Sequence, residues 1–355
     1  MEETMKAVVL RAPGEYAVEN VPVPEPGLQE VLVEIRSIAI CGSDPGIFAG
    51  NVRKDGWPPH YPFVAGHEFA GRVVAVGEGV TKFHVGDRVA GEAHCGCGVC
   101  DMCMQGLYNL CRNYGTAGHR HYGHATQGCY AQYQKYDAKA LTALPENVSY
   151  DEGAMVDTAG TAYNGLRLLG VEPGGYTAVI GPGPMGVMLA QMAKAMGSRT
   201  IILGYHDAER LTVARKAGVD HVVETADLPD VVDMVRKLTG GRGANRTFDC
   251  AGSAGTLENA IRMTCPNGKV GVIAYPKRPA AQEALYYMVK NQITVQGVRA
   301  NPNCSGAVLN LLSQGVIDAS SLITHSFGID EIELAFDVFA NHRDGAVKVV
   351  IHPND

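Results

Sequence analysis

The sequence predicts an α/β protein of two domains, one rich in antiparallel β-strands and one built on a parallel, doubly wound sheet. Three observations carry that prediction. The chain has 355 residues, 46% of them hydrophobic, which is enough for two sizeable cores. Its first part breaks into short β-branched runs separated by turns rich in Pro and Gly. After Leu144-Pro145, short apolar strands alternate with helical stretches, and the 43 glycines suit the tight turns such alternation needs.

In the first part, residues 5–10, 31–35, 71–76 and 88–90 read as strands. Turns such as Pro22-Val23-Pro24-Glu25-Pro26-Gly27 and Val85-Gly86-Asp87 divide them. Residues 92–128 form a long loop with few apolar runs and many Cys, His and Gly. A loop of that length inside a compact domain needs something to hold it, and a metal would do so. In the second part, strands at 177–180, 200–203, 221–223, 246–249, 269–273 and 293–295 alternate with helices, two of them reaching about residue 196 and spanning 208–217. Met185, Met188, Met192 and Met196 have helical spacing and read as one core-facing stripe. Lys348-Val349-Val350-Ile351 reads as a strand that returns to the first domain. The expected boundaries are therefore 1–158, 159–297 and a return over 298–355.

A formal net charge of -7 gives no electrostatic reason to expect nucleic acid or an anionic membrane as partner. Residues 173–193 carry no charge, but Gly174, Gly175, Gly181, Pro182, Gly183, Pro184 and Gly186 break them into a strand and a helix rather than a membrane span. The acidic start, Met1-Glu2-Glu3-Thr4, is not followed by a secretory pattern. Five of the ten cysteines fall between Cys95 and Cys111, a density that suits a thiolate cage better than disulfides, so a reducing, cytoplasmic setting is expected.

Gly181-Pro182-Gly183-Pro184-Met185-Gly186 is a G-x-G-x-x-G that follows an apolar strand and opens a helix. That context makes it a dinucleotide loop. Gly181 permits the tight turn, Gly183 lets backbone N–H groups reach a pyrophosphate, and Gly186 lets helix and strand pack closely. About 20 residues on, where an acid usually accepts the ribose hydroxyls, the chain has Gly204-Tyr205-His206-Asp207. With no carboxylate at Tyr205, a 2′-phosphate is not repelled there, and His206 and Arg210 are candidate donors to it. The plainer alternatives are a surface loop for His206 and a solvated charge for Arg210, with Asp207 reaching the ribose. The balance leans to NADP over NAD.

Cys97, Cys100, Cys103 and Cys111 form C-x2-C-x2-C-x7-C, the spacing of a closed, structural zinc site. Cys95 is a fifth candidate, either replacing a ligand or sitting beside the lobe. Cys41-Gly42-Ser43-Asp44 lies just past a strand and Gly66-His67-Glu68 just before one. Beside a dinucleotide loop, such a thiol and imidazole suggest a second, catalytic zinc with an open position.

These motifs, in this order and together with Val85-Gly86-Asp87-Arg88-Val89, resemble the zinc-dependent medium-chain alcohol and polyol dehydrogenases over essentially the whole chain. The resemblance implies a GroES-like catalytic domain, a Rossmann domain inserted before the chain returns, and two zincs per chain. It implies Cys41 and His67 as catalytic zinc ligands, with Asp157 of Gly153-Ala154-Met155-Val156-Asp157-Thr158 as the third; the alternative for Asp157 is a helix N-terminal charge. Glu68 would be the neighbouring carboxylate that approaches the zinc when water or substrate exchanges. Asp44 would fix the tautomer of His67, and Ser43 would pass the substrate proton outward. Zinc would lower the alcohol's pKa, and hydride would pass from the alkoxide to the nicotinamide of NAD(P).

Gly46 stands where many relatives have a relay histidine, so the proton must leave by another route. His119, His121 and His124 crowd the loop before Gly128, as a third metal site, exposed loop histidines or pocket lining. A secondary alcohol or polyol substrate is implied, as is a dimer or tetramer joined near residues 293–298. A zinc-free quinone or enone reductase and a catalytically silent binding protein on the same fold are the competing readings. Retention of Cys41, His67, Asp157 and the glycine loop argues against both.

Overall fold

The computed structural model describes residues 3–51, 56–116 and 118–355. Contacts divide the chain into two compact units. The first comprises Met1–Gly160, Ala300–Ser313 and Ile323–Asp355, and the second Thr161–Arg299 with Gln314–Leu322. The return through residues 298–355 is thus interrupted, because 314–322 group with the second unit.

The first unit begins with the strands β1 (Thr4–Ala12), β2 (Glu15–Pro22), β3 (Glu30–Ala39), β4 (Phe69–Val76), β5 (Arg88–Gly91), β6 (His94–Cys95), β7 (Arg120–His121), β8 (Tyr133–Asp137) and β9 (Leu141–Ala143). The second unit holds β10 (Tyr176–Ile180), β11 (Arg199–Gly204), β12 (His221–Glu224), β13 (Ala244–Asp249), β14 (Thr264–Val272) and β15 (Thr294–Gly297). The chain returns with β16 (Ile323–Gly328) and β17 (Lys348–His352). The helices are α1 (Asp44–Phe48), α2 (Asp101–Met104), α3 (Tyr150–Ala154), α4 (Val156–Leu169), α5 (Pro184–Ala195), α6 (Ala208–Lys216), α7 (Val231–Leu238), α8 (Thr256–Met263), α9 (Gln282–Lys290), α10 (Ser305–Ser313) and α11 (Ile332–Ala340).

In the first unit the main sheet has the order β16-β17-β3-β4-β5-β9, with β8 also paired to β3. Its pairings are antiparallel except β16 with β17. The returning β17 lies against β3, pairing Val350 with Ala39 and Ile351 with Ile38. Val33, Ile35, Phe69, Val73, Val89, Tyr136, Val349 and Ile351 meet in one buried cluster, where the rings of Phe69 and Tyr136 stack at 4.1 Å. Each such fully buried aliphatic or aromatic side chain contributes roughly 1.5–3 kcal/mol.

The second unit's sheet is wholly parallel, in the order β12-β11-β10-β13-β14-β15. Counted from β10, that is the doubly wound arrangement whose direction reverses beside its first strand, and ligands bind outside the carboxyl ends at such a switch point. β10 and β11 are buried almost throughout, as strands covered by helices on both faces must be. On α5, Met188 and Met192 are core residues, but Met196 is 38% exposed because it lies past the helix end, and Met185 in the first turn is only half-buried. The methionine stripe is therefore shorter than its spacing predicts.

The loop over 92–128 is not structureless. It contains β6, α2 and β7, and its base is tied to α10 and the segment before it. The Glu92 carboxylate accepts from the Tyr108 hydroxyl and, at 2.6 Å, from Ser305 Oγ, while Asn303 N donates to Tyr108 Oη at 2.6 Å. No helix among the described residues is long and apolar enough to cross a membrane.

Candidate active site and metal centres

Strand register brings the first constellation together. Ile38 of β3 pairs with Phe69 of β4, so Cys41, just beyond β3, and His67, just before β4, lie at the same end of that pair. Gly66 makes the approach possible. Its φ is +93°, and a Cβ there would stand 2.6 Å from the ring of the fully buried Tyr130. The donor atoms of Cys41, His67 and Glu68 lie within 4.8 Å of one another.

Around them the charge is negative. Asp44, fully buried, places Oδ1 3.6 Å from His67 Nδ1 and accepts at Oδ2 from Cys41 N (2.9 Å) and Tyr130 Oη (2.7 Å). Glu68 is held at both oxygens, Oε1 by Thr158 Oγ1 at 2.7 Å and Oε2 by Lys348 Nζ at 2.6 Å. Asp157, in the first turn of α4, stands outside the converging set, and its Oδ1 accepts from Ala93 N at 3.2 Å. Burial disfavours a charged imidazole at His67, yet Cys41, Asp44 and Asp157 outweigh it and raise its pKa well above the ordinary value. Burial raises Asp44 and Asp157 too. A thiol, an imidazole and several buried carboxyl groups, beside the buried ammonium of Lys348, fit a divalent zinc.

The second constellation fits zinc equally well. The sulfurs of Cys97, Cys100, Cys103 and Cys111 also lie within 4.8 Å of one another. Cys97 and Cys103 are 3.8 Å apart, and Cys100 and Cys111 3.9 Å. Zn–S bonds of about 2.3 Å give tetrahedral edges of about 3.8 Å, whereas a disulfide needs about 2.0 Å. Backbone N–H groups of Val99 and then Cys100 pull Cys97 down to about 6, favouring the thiolate a metal needs. Cys95 is excluded from the cage. It is buried on β6 opposite Arg120, where burial pushes its thiol up to about 12.

The loop histidines are buried rather than exposed. Register pairs His94 with His121, and their rings stack at 3.9 Å; His121 stacks on His124 at 4.0 Å, and His124 lies 4.6 Å from His67. The rings present faces to one another, and among the described residues only the two constellations above converge on a metal position. Trp57 packs edge-on to His121 and His124, with its Nε1 buried and without a hydrogen-bond partner among the described residues. Ser43 Oγ is likewise buried and without a partner among the described residues.

In the second unit a cleft of about 790 Å³ opens at the carboxyl ends of β10, β11 and β13, lined by Gly181, Pro182, Gly204, Tyr205, Thr225 and Ala251 among others. Gly183 is the N-cap of α5, and a Cβ at Gly186 would stand 2.1 Å from the carbonyl oxygen of Gly181. Arg210 lies 3.7 Å from Asp207. The Glu224 carboxylate meets the backbone N–H groups of His206 and Asp207.

The family model for the alcohol dehydrogenase GroES-like domain matches residues 27–146, and that for the zinc-binding dehydrogenase matches residues 184–314. The chain belongs to the zinc-dependent medium-chain alcohol and polyol dehydrogenases. It is 31% identical to a sorbitol dehydrogenase of Halalkalibacterium halodurans, over 99% of this chain and 100% of that relative. Among solved structures, an alcohol dehydrogenase from Escherichia coli complexed with NADH has a TM-score of 0.88 at 26% identity, covering 99% of this chain and 100% of that one. A zinc-binding dehydrogenase from Sinorhizobium meliloti bound to NADP has a TM-score of 0.88 at 28% identity, with the same coverage.

This dehydrogenase is thus an oxidoreductase of alcohols that works with zinc and NAD(P). Sequence reading does not single out Lys348, Thr158, Tyr130 or Trp57, which surround the Cys41–His67–Glu68 set. Of the four, Lys348 alone has a local signal, as the charge that opens the otherwise apolar run Lys348-Val349-Val350-Ile351.

Proposed function

We propose that this dehydrogenase oxidises a secondary hydroxyl of a polyol or related alcohol, and reduces the matching ketone, at a zinc held by Cys41, His67 and a carboxylate. The convergence of Cys41, His67 and Glu68 carries the reading. Asp157 is proposed as the carboxylate ligand and Glu68 as its alternate during exchange, since Glu68 is already occupied by Lys348 and Thr158. Zinc supplies the Lewis acidity that makes the alcohol a better acid. Ser43 Oγ would accept a hydrogen bond from the substrate hydroxyl and relay its proton outward, giving up its own to solvent as it gains the substrate's, and Asp44 would orient His67. Trp57 Nε1 and the histidine column offer polar groups beside His67 to a substrate with several hydroxyls.

A second zinc on Cys97, Cys100, Cys103 and Cys111 has a structural role. The catalytic domain is assigned to 1–158 and 298–355, and the dinucleotide domain, with Gly181, Gly183, Pro184, Met185 and Gly186, to 159–297. NADP is proposed as the preferred cofactor, because Tyr205, 66% exposed, brings no charge, and Arg210 and His206 lie beyond it. β15 is exposed along its length at the sheet edge, which supports assembly as a dimer or tetramer. Ten free cysteines support a cytoplasmic setting.

The test measures zinc content and nicotinamide absorbance with a panel of polyols, sugars and simple alcohols, each with NAD and NADP. Polyols are expected to give the highest kcat/KM. Turnover that persists after both zincs are removed would overturn the reading.

A further inference from the structure

The acid absent from the end of β11 has a counterpart on the neighbouring strand. Parallel pairing sets Glu224, the last residue of β12, beside Gly204, the last residue of β11. From there its Oε1 accepts from the N–H groups of Thr225 at 2.8 Å, Ala226 at 3.0 Å and His206 at 3.1 Å. Its Oε2 is 3.4 Å from Asp207 N. His206 has a φ of +53°, the left-handed conformation that turns successive N–H groups toward one point. Such a concavity binds anions, and in this dehydrogenase it already holds one. Partial burial works against the charge on Glu224, but these backbone donors hold its carboxyl below the ordinary value.

The place matters. His206 and Asp207 directly follow Tyr205, the position that faces the adenosine ribose in dinucleotide sheets, and Tyr205, Asp207 and Thr225 line the cleft. A 2′-phosphate entering there finds Arg210 paired with Asp207 at 3.7 Å, and finds the N–H donors of the turn occupied by a carboxylate.

We infer that Glu224 is a cofactor-specificity residue: its carboxylate fills the anion-binding turn at the end of β11 and disfavours a 2′-phosphate, keeping the enzyme open to NAD. The inference rests on the reading that this cleft binds the adenosine half of a nicotinamide dinucleotide. It sets a ceiling on whatever preference for NADP the uncharged Tyr205 and Arg210 confer. Neutralising the carboxylate removes a repulsion, and removing the side chain also frees the N–H donors for a phosphate, whereas a ribose without the phosphate is indifferent to either change.

The experiment is calorimetric titration of the full chain with 2′,5′-ADP and with 5′-AMP. In E224Q, affinity for 2′,5′-ADP is expected to rise about tenfold or more, as the repulsion between carboxylate and phosphate is removed, while that for 5′-AMP moves less than about threefold. Because the carboxylate also braces the turn, E224A is titrated in parallel, with thermal melting to confirm a folded state. E224D, which keeps the charge, should show no selective gain. A selective gain for 2′,5′-ADP in either folded neutral variant supports the inference. Equal changes for both ligands, or loss of cooperative melting in both variants, would show Glu224 to be only a brace and overturn it. Failure of wild-type protein to bind 5′-AMP at all would instead overturn the dinucleotide reading beneath it.

Discussion

Lys348 Nζ and Glu68 Oε2 stand 2.6 Å apart, both nearly fully buried and 280 residues distant in sequence. Their pairing depends on β17 returning to lie against β3. A buried pair of this kind is costly to break, because the surviving partner is left charged and without water. Lys348→Met is therefore expected to lower unfolding free energy by about 3–5 kcal/mol. Denaturant titration checks this. The K348M/E68Q double variant should lose less than K348M, and a K348M loss below about 1 kcal/mol would mean that solvent reaches the pair.

Cys100→Ser addresses the four-cysteine cage. One thiolate fewer should release one zinc equivalent per chain to a chromogenic chelator and lower the melting temperature before kcat changes at low temperature. The cage braces the loop over 92–128, whose catalytic neighbours are otherwise held by Glu92, Tyr108 and Ser305. A variant that keeps two zincs and its wild-type melting temperature would contradict the assignment.

The parts legible in the sequence are those with local signatures. Apolar periodicity marks the strands of the parallel sheet, and two-residue gaps mark the cage, because each cage ligand is positioned by its immediate neighbours. β2, β8 and β16 are missed, since they have weak alternation and are fixed as strands by partners far along the chain. The same cause hides the roles of Lys348 and Glu224, which come from register between strands, and that of Tyr130, whose hydroxyl reaches Asp44 far back along the chain. Asp157 is the instructive case. The family resemblance implies it as a ligand, with a helix N-terminal charge as the alternative, and the donors that converge with Cys41 and His67 include Glu68.

Paired substitutions separate those two carboxylates. Asp157→Asn removes charge from a group whose Oδ1 accepts from Ala93 N, and a ligand role predicts loss of the catalytic zinc and a fall in kcat of about a hundredfold or more. 5′-AMP binding should be unaffected, because the glycine loop belongs to the other unit. Glu68→Gln, by contrast, should retain zinc while leaving Lys348 with a weaker partner. The opposite pattern, zinc lost in E68Q and retained in D157N, would exchange the two roles.

His352 Nε2 and Asp151 Oδ1, 2.8 Å apart, tie the end of β17 to α3 and give a pH signature. The hydrogen bond to Asp151 raises the pKa of His352 above its usual 6.5; burial works to raise Asp151, but His352 and Ser37 together outweigh it and lower Asp151 below 3.8. The histidine's contribution is complete below about pH 6.5 and fades as pH rises through its folded value; the aspartate's is complete above about pH 4 and fades as pH falls. The pair should thus stabilise the fold most between about pH 4 and 6.5, by no more than about 1 kcal/mol at this partial exposure. Comparing denaturation of wild type and His352→Gln at pH 5.5 and 8.5 tests it, with the larger difference expected at the lower pH.

Tyr205→Asp restores the carboxylate that the end of β11 lacks. Tyr205 is 66% exposed at the cleft, so the exchange should not disturb folding. A carboxylate there accepts the two ribose hydroxyls of NAD and repels the 2′-phosphate of NADP. It would also stand near Glu224, two anions facing a third on the phosphate. We therefore expect kcat/KM for NADP to fall about tenfold or more while that for NAD holds or rises, a swing of more than about 1.4 kcal/mol in relative transition-state stabilisation. The measurement uses one alcohol and both cofactors. Because Arg210 is engaged by Asp207, Arg210→Gln should erode NADP turnover less than Y205D does. An unchanged ratio of kcat/KM values in Y205D would show that the ribose sits elsewhere in the cleft and that this turn does not choose the cofactor.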